Sequence, residues 1–268
     1  MSAQKPVATG SRARGAALRV LLALAVPVVL VAVWQIAAQA AQHMYWPSPG
    51  AILGAFPDTW FAGRIGGDVL PSLGRLGLGY LLAVVVGVLL GALVGSVIRL
   101  RLLLEPVFEL FRAVPPPVLV PIIMLFTGIG TSMQVTVIAF GCVWPVLINT
   151  VEGVRGIDGT QLDTANSYRI GGARRFFRVV VPAASPKIFA GARQALSIGI
   201  IMMVISEMFA STNGIGMNVI EFQRLFQLTP MWTGIILLGL IGVLANALFR
   251  IVERRALRWY MGMQAQER

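Results

Sequence analysis

The chain has little that reacts and little that is charged. Of its 268 residues one is cysteine, Cys142, and one is histidine, His43. An intrachain disulfide is therefore excluded, and so is a metal site built from a Cys/His cluster. Cys142 lies inside an apolar run and reads as a small packing residue. His43 stands beside Trp46, where an apolar run ends, and reads as an interfacial residue. Only 11 residues are acidic, and nearly all fall in connections. That leaves no convergent carboxylates, histidine pair or nucleophile–base pair for a membrane-embedded enzyme. The phosphate-binding pattern G-x-x-x-x-G-K-[ST] is missing too, since Gly128-Ile129-Gly130 is followed by no such lysine. No low-complexity tract or internal repeat is visible.

Charge as a whole is scarce. Charged residues make up 12% of the chain, against roughly 25% in a soluble domain. Hydrophobic residues make up 57%, and mean hydropathy is +0.79. Lipid is the solvent that such a composition fits. Five segments are long and apolar enough to span a bilayer: Leu18–Ala40, Leu76–Ile98, Met133–Val151, Ile188–Ala210 and Trp232–Ile251. A sixth, around Leu102–Phe126, is broken by Pro106, Pro115, Pro116, Pro117 and Pro121. Proline removes a backbone donor, and in lipid such a break survives only where protein or water covers it. This segment is expected to be kinked and buried in the bundle. The reading is an all-α, polytopic bundle of six transmembrane helices.

The net charge of +11 does not signal nucleic acid, because no basic stretch is interleaved with aromatics in a soluble segment. It orients the spans instead. With the N-terminus inside, every basic residue except Arg64, Arg75 and Arg224 falls on the cytoplasmic side. The basic N-terminus and the apolar run Val20–Ala41 imitate a signal peptide, with Ala38 and Ala40 as a small-residue cleavage site. The run exceeds the usual ~7–15-residue apolar region, so a retained first span is expected. The expected layout is a cytoplasmic tail over 1–17, a transmembrane unit over 18–262 and a cytoplasmic tail over 263–268. Trp46, Trp60 and Phe61 are expected as interface anchors around a short surface helix over 51–62.

Three features stand out along the chain. Gly79, Ala83, Gly87, Gly91 and Gly95 make a small-residue stripe on one face of the second span. It would allow close helix packing, within one subunit or between two. Glu207 is the sole acid well inside one of the five continuous predicted spans. Charge there costs roughly 2.5–3.5 kcal/mol on insertion scales, so Glu207 faces the pathway, pairs with a residue near the outer gate, or makes a packing hydrogen bond close to the external end. Asn213-Gly214-Ile215-Gly216 follows and would shape the outer turn. The third feature is the connection from Glu152 to Pro186, the longest polar one, which carries both signs of charge. Thr160 is expected as N-cap of a short helix with Asp163 three residues on, and Gly171-Gly172 would end or bend it. As a solvated positive-inside loop it needs no partner, and as a docking element it would need one.

This connection resembles the coupling loop of permease subunits of binding-protein-dependent ABC importers, in the nitrate/sulfonate/taurine branch. The family's loop reads Glu-Ala-Ala, three residues, Gly, and later Pro after an apolar triplet. Here the sequence is Asp163-Thr164-Ala165-Asn166-Ser167-Tyr168-Arg169, then Ile170-Gly171-Gly172-Ala173-Arg174-Arg175, and Val179-Val180-Val181-Pro182. Asp163 and Ala165 match. Thr164 replaces an alanine, and Arg169 stands at the glycine, with Gly171 and Gly172 nearby to supply the turn. The likeness extends from Trp46-Pro47-Ser48-Pro49 through Arg112-Ala113-Val114-Pro115-Pro116, Thr127-Gly128-Ile129-Gly130 and Ser206-Glu207-Met208 to Glu253-Arg254-Arg255.

The resemblance implies a type I ABC importer permease fold in a bacterial inner membrane, both termini cytoplasmic. It implies a second permease copy (a homodimer), two ABC ATPase subunits and an extracytoplasmic solute-binding protein. Its cargo would be a small anion such as a sulfonate, taurine or nitrate. No cofactor is expected on this chain, with ATP and magnesium held by the ATPase. A loop helix over about Gln161–Gly172 would dock on the ATPase, Asp163 and Arg174/Arg175 making polar contacts and Ala165 allowing close approach. The competing reading, an ion-coupled secondary transporter, has only Glu207 to work with.

Overall fold

The computed structural model describes residues 10–41 and 43–266, with side chains over 25–41, 43–111 and 113–262. Lys5, Arg268 and the side chains of Arg12, Arg14, Arg19 and Arg112 lie outside the described residues. Every regular element described is helical.

Helix α1 (Gly10–Ala41) leads through a turn to α2 (Pro49–Trp60). Ser48 starts α2 by accepting the Ala51 N–H on its hydroxyl, and Pro49 occupies the first turn, where a missing donor costs nothing. A π-helical turn (Ile65–Val69) runs straight into α3 (Leu70–Ser96). Helix α4 (Ile98–Ala113) is followed by a 3-10 turn (Pro116–Leu119) and α5 (Val120–Thr127). Then come α6 (Thr131–Arg155), α7 (Gly159–Ser167) and α8 (Gly172–Arg175), the last running through a π turn (Phe176–Val180) into α9 (Val181–Phe209). Helices α10 (Ile215–Arg224), α11 (Leu228–Ala256) and α12 (Arg258–Gln266) complete the chain.

Four continuous stretches are long and apolar enough to cross a membrane: Ile65–Ser96, Thr131–Arg155, Gly172–Phe209 and Leu228–Ala256. The pair Ile98–Phe111 and Pro116–Thr127 would be a fifth, bent by 83°. The proline run makes that bend, because Pro115 cannot continue α4 and biases Val114 to extended backbone, as observed (ψ 120°). In α1 the apolar stretch Ala25–Ala41 is helical but shorter. The proline-broken segment, expected to be buried in the bundle, is buried only in part on the single chain: Val120 is core, 0% exposed, with Ile123 and Met124 packed beside it. Leu103, Leu110, Leu125 and Phe126 are all exposed on the single chain.

The centre of the fold is α6, packed between α3 and α9. The small-residue stripe explains how α3 comes so close. A Cβ on Gly79 would stand 2.7 Å from Ile138 Cβ, and one on Gly91 would stand 2.7 Å from the Leu147 carbonyl oxygen. Gly87 and Gly95 meet Val146 and Val154 in the same way, and Ala83 is buried. The stripe thus lies against α6 of its own chain. On the other side, Gly191 of α9 rests on the Pro145 carbonyl, 2.6 Å from where its Cβ would be. Two helices held this tightly to α6 leave little room for it to move independently.

Two expectations at the periphery change. Trp60 is not an interface anchor but core: it is 1% exposed, and its indole N–H donates to Thr233 Oγ1 at 2.9 Å. Arg75 does not lie in an external connection. The helix begins six residues before the expected start at Leu76, and Arg75 is inside it, 7% exposed.

Candidate functional site

At the end of the bundle where α3 stops and α9 starts, the α6–α9 connection folds into a compact platform. Asp158, not Thr160, caps α7: its carboxylate accepts the Thr160 N–H at 2.9 Å, and Thr160 sits inside the first turn. Ala165 is 3% exposed and faces the protein's own body, where α7 packs on the π turn Phe176–Val180. Its small size therefore seats α7 on this chain and leaves no surface for a partner. Arg175 is drawn inward, donating to Asn166 Oδ1 at 3.0 Å. What stays outward is Asp163, Thr164, Tyr168, Arg169, Arg174 and Phe177, all exposed. Tyr168 and Phe177 are 77% and 67% exposed, large apolar surfaces beside charges at a helix end.

The departure at Arg169 has a geometric meaning. Helix α7 ends in a Schellman turn: the Arg169 N–H donates to the Asn166 carbonyl and the Ile170 N–H to the Ala165 carbonyl, both at 2.9 Å. The residue at the centre of such a turn takes left-handed backbone, and Arg169 has φ +50°. Only glycine adopts that region without cost. Gly172 is also left-handed (φ +55°) but starts α8. Gly171 is extended, so neither glycine relieves Arg169. Pro182 follows at the first turn of α9.

The far end of α9 holds a second cluster. Glu207 lies 26 residues beyond Val181, about 40 Å along the helix axis at the α-helical rise. It is 0% exposed. Its Oε1 accepts from the Ser72 hydroxyl at 2.6 Å and from Arg75 at 3.0 Å, and its Oε2 accepts from the Gly216 N–H at 2.9 Å. Arg75 also reaches the Asn213 carbonyl and side chain. Asp68 accepts the Gly214 N–H, while the Asn213 amide donates to the Gly67 carbonyl. Gly214 (φ +131°) leaves no space for a side chain, since a Cβ would stand 2.5 Å from Glu207 Cδ. Gly216 is equally confined by the Val204 carbonyl, at 2.6 Å.

Glu207, Asn213, Gly214 and Gly216 therefore form one polar knot that ties the start of α3 to the α9–α10 turn. A buried carboxylate with three donors, one of them a cation, is satisfied rather than available. The sequence points to Glu207 and Gly216 but not to Ser72 and Arg75. Asp68, Ser72 and Arg75 recur at intervals of four and three, one helix face, immediately before an apolar run. That spacing was the available signal.

Comparisons with known proteins agree with this architecture. Residues 83–258 match the family described as binding-protein-dependent transport system inner membrane component. The chain is 30% identical over 238 residues to SsuC of Bacillus subtilis (strain 168), a permease named for aliphatic sulfonates transport, covering 88% of this chain and 86% of that one. It is 27% identical to the taurine transport system permease protein TauC of Escherichia coli (strain K12), over 92% of each. Among solved structures, the inward-facing MetNI methionine ABC transporter superposes with TM-score 0.60 at 18% identity, over 70% of this chain and 94% of that one. The chain belongs to the binding-protein-dependent transport system inner membrane component family, and it is a permease subunit of an ABC importer with the fold of that class.

Proposed function

We propose that this permease forms the pathway for a small sulfonate-type anion and couples it to a separate ATPase that docks on the α7 platform. The observation that carries the reading is the platform itself. A short helix is seated firmly on the chain by Ala165, yet it presents Tyr168, Phe177, Asp163, Arg169 and Arg174 to the outside. Exposed aromatics beside charges are characteristic of a protein interface rather than of a solvated loop.

In this reading the platform lies in the cytoplasm, as the basic residues around it favour. The polar knot lies toward the opposite face, where a solute-binding protein would deliver its cargo. The ATPase pair holds ATP and magnesium, and its closure moves the platform as a rigid body. The force passes along α9, which the glycine contacts lock to α6 and α3. Asn213, Gly214 and Gly216 then hold the far ends of α3 and α9 together, so the helices tilt as a unit. Glu207 serves that structural tie. A homodimer would cover the exposed apolar faces of α4 and α5. The sulfonate class comes from the relatives' named cargo, and nitrate is the runner-up within the same branch.

Affinity purification of the tagged chain from membranes tests the reading. It should bring down an ABC ATPase, and Tyr168→Ala with Arg174→Glu should lose that ATPase while the permease stays at its normal level. Retention of the ATPase by the double variant would rule out docking at the platform.

A further inference from the structure

At the end of the bundle that holds the knot lies a cavity of about 880 Å³ that neither the knot nor the platform uses. It forms where the end of α1, the α10–α11 turn and the start of α11 meet. The rings of Tyr45, Trp46, Phe226 and Trp232 line it, together with His43 and Arg224. Its size falls within the roughly 300–1,000 Å³ of small-molecule sites.

Three observations bear on what it holds. The first is its level. Trp232 packs on Trp34 of α1, ring centroids 5.5 Å apart, so the cavity adjoins the point where two apolar helices touch. Farther from this end of the bundle, Val29 and Val33 of α1 and Leu240 and Val243 of α11 are exposed on the single chain. Tryptophan and tyrosine at the end of such faces mark the headgroup layer of a bilayer. The second is Phe226. Helix α10 ends in a Schellman turn: the Phe226 N–H donates to the Gln223 carbonyl at 3.1 Å, and the Gln227 N–H to the Phe222 carbonyl at 2.8 Å. Phe226 takes the left-handed position of that turn, φ +54°, where glycine would be unstrained. It is 63% exposed, so burial in the core does not offset the strain. Residues strained in this way cluster at ligand clamps. The third is Arg224. It is exposed, and among the described residues it has no hydrogen bond or ion pair. Arg64, by contrast, lies over the Phe222 ring, and Arg75 is held in the knot.

We propose that this cavity seats the headgroup of a phosphatidylethanolamine molecule from the leaflet opposite the platform. The lipid phosphate accepts from Arg224, and the ammonium lies on the faces of the aromatic rings. The acyl chains run over the exposed faces of α1 and α11. A purely anionic headgroup would satisfy the arginine and leave the rings without a cation. A water-soluble zwitterion would satisfy both and leave the apolar faces uncovered.

Native mass spectrometry of the detergent-purified assembly, this chain with its co-purified subunits, tests the assignment. The assembly is titrated with dioleoyl-phosphatidylethanolamine or dioleoyl-phosphatidylglycerol. The wild type should retain the ethanolamine lipid about threefold more, the effect of an exposed cation–π contact. Phe226→Gly separates a ligand role from a structural one, because glycine suits the turn. It should lose that preference while its thermal midpoint stays level or rises. A lower midpoint with the preference intact would mean that Phe226 serves packing, and would overturn the assignment. Arg224→Gln should weaken retention of both lipids by about fivefold or more, as expected for one charge-assisted hydrogen bond. Equal retention of the two lipids by the wild type, or unchanged retention in both variants, would overturn it too. Weaker capture of the solute-binding protein by both variants, with lipid retention unchanged, would make the cavity a protein-docking surface instead. The readout is lipid and not uptake, so a wrong cargo class leaves the test intact.

Discussion

Replacing Arg169 with glycine should strengthen the α7 platform. At φ +50° a side-chain-bearing residue is strained by roughly 1–2 kcal/mol relative to its preferred regions. Glycine removes that strain but gives back part of it through the greater freedom of the unfolded chain, about 0.5–1 kcal/mol. The net gain is about 1 kcal/mol, and it is local. Global melting of a membrane bundle would hide so small a change, because short connections open without the spans. Amide hydrogen exchange reads it directly, since the two turn bonds belong to Arg169 and Ile170. At position 170 the glycine variant should exchange about fivefold more slowly, which is what 1 kcal/mol amounts to at room temperature. Arg169→Val should exchange faster than the parent, since a β-branched residue tolerates this backbone worst. Equal or faster exchange in Arg169→Gly would show that the arginine is unstrained and that the glycine of related loops has some other purpose.

Four further outcomes follow from the packing. Glu207→Leu or Arg75→Met alone should destabilise the assembly by roughly 3–5 kcal/mol, because each leaves a buried charge unpaired. The double substitution should recover much of that loss in a denaturation series, and purely additive losses would contradict a coupled knot. Gly91→Ala should cost roughly 1–3 kcal/mol, because its Cβ meets the Leu147 carbonyl and the Thr150 side chain, both at 2.7 Å. Gly239→Ala, with nothing within 4 Å, should leave the thermal midpoint unchanged or slightly raised. Trp60→Phe should lose about 1 kcal/mol, because Thr233 Oγ1 loses the indole donor while still donating to the Pro230 carbonyl.

Four of the six expected spans, and the short helix of the platform, are legible because they follow from composition and spacing. Apolar length marks a helix in lipid, and small residues four apart mark a face another helix can approach. The stripe from Gly79 to Gly95 carried that information, although not which neighbour it met. The partners of Glu207 were less visible. Ser72 and Arg75 lie more than 130 positions away, and an arginine just before an apolar run reads as a loop charge unless the helix starts at Leu70. Cap chemistry misled in a smaller way: Thr160 and Asp158 are both good caps, and only the backbone decides between neighbours. The proline run marks that segment as bent, as it is, and on the single chain the segment is buried only in part. Burial of that segment depends on what lies beside the chain, and proline spacing carries no information about that. Arg169 shows the opposite case. The sequence marked it as an anomaly, and the structure supplies the reason, a left-handed turn position held by an arginine.

ATP-dependent uptake of butanesulfonate into proteoliposomes bears on the whole reading at once. Vesicles holding this chain with its co-purified ATPase and binding protein should accumulate the solute only when ATP is present on the side of the α7 platform. The Tyr168→Ala, Arg174→Glu variant should fail to do so. Accumulation that persists without ATP, or that follows an imposed ion gradient instead, would contradict a coupled ABC permease.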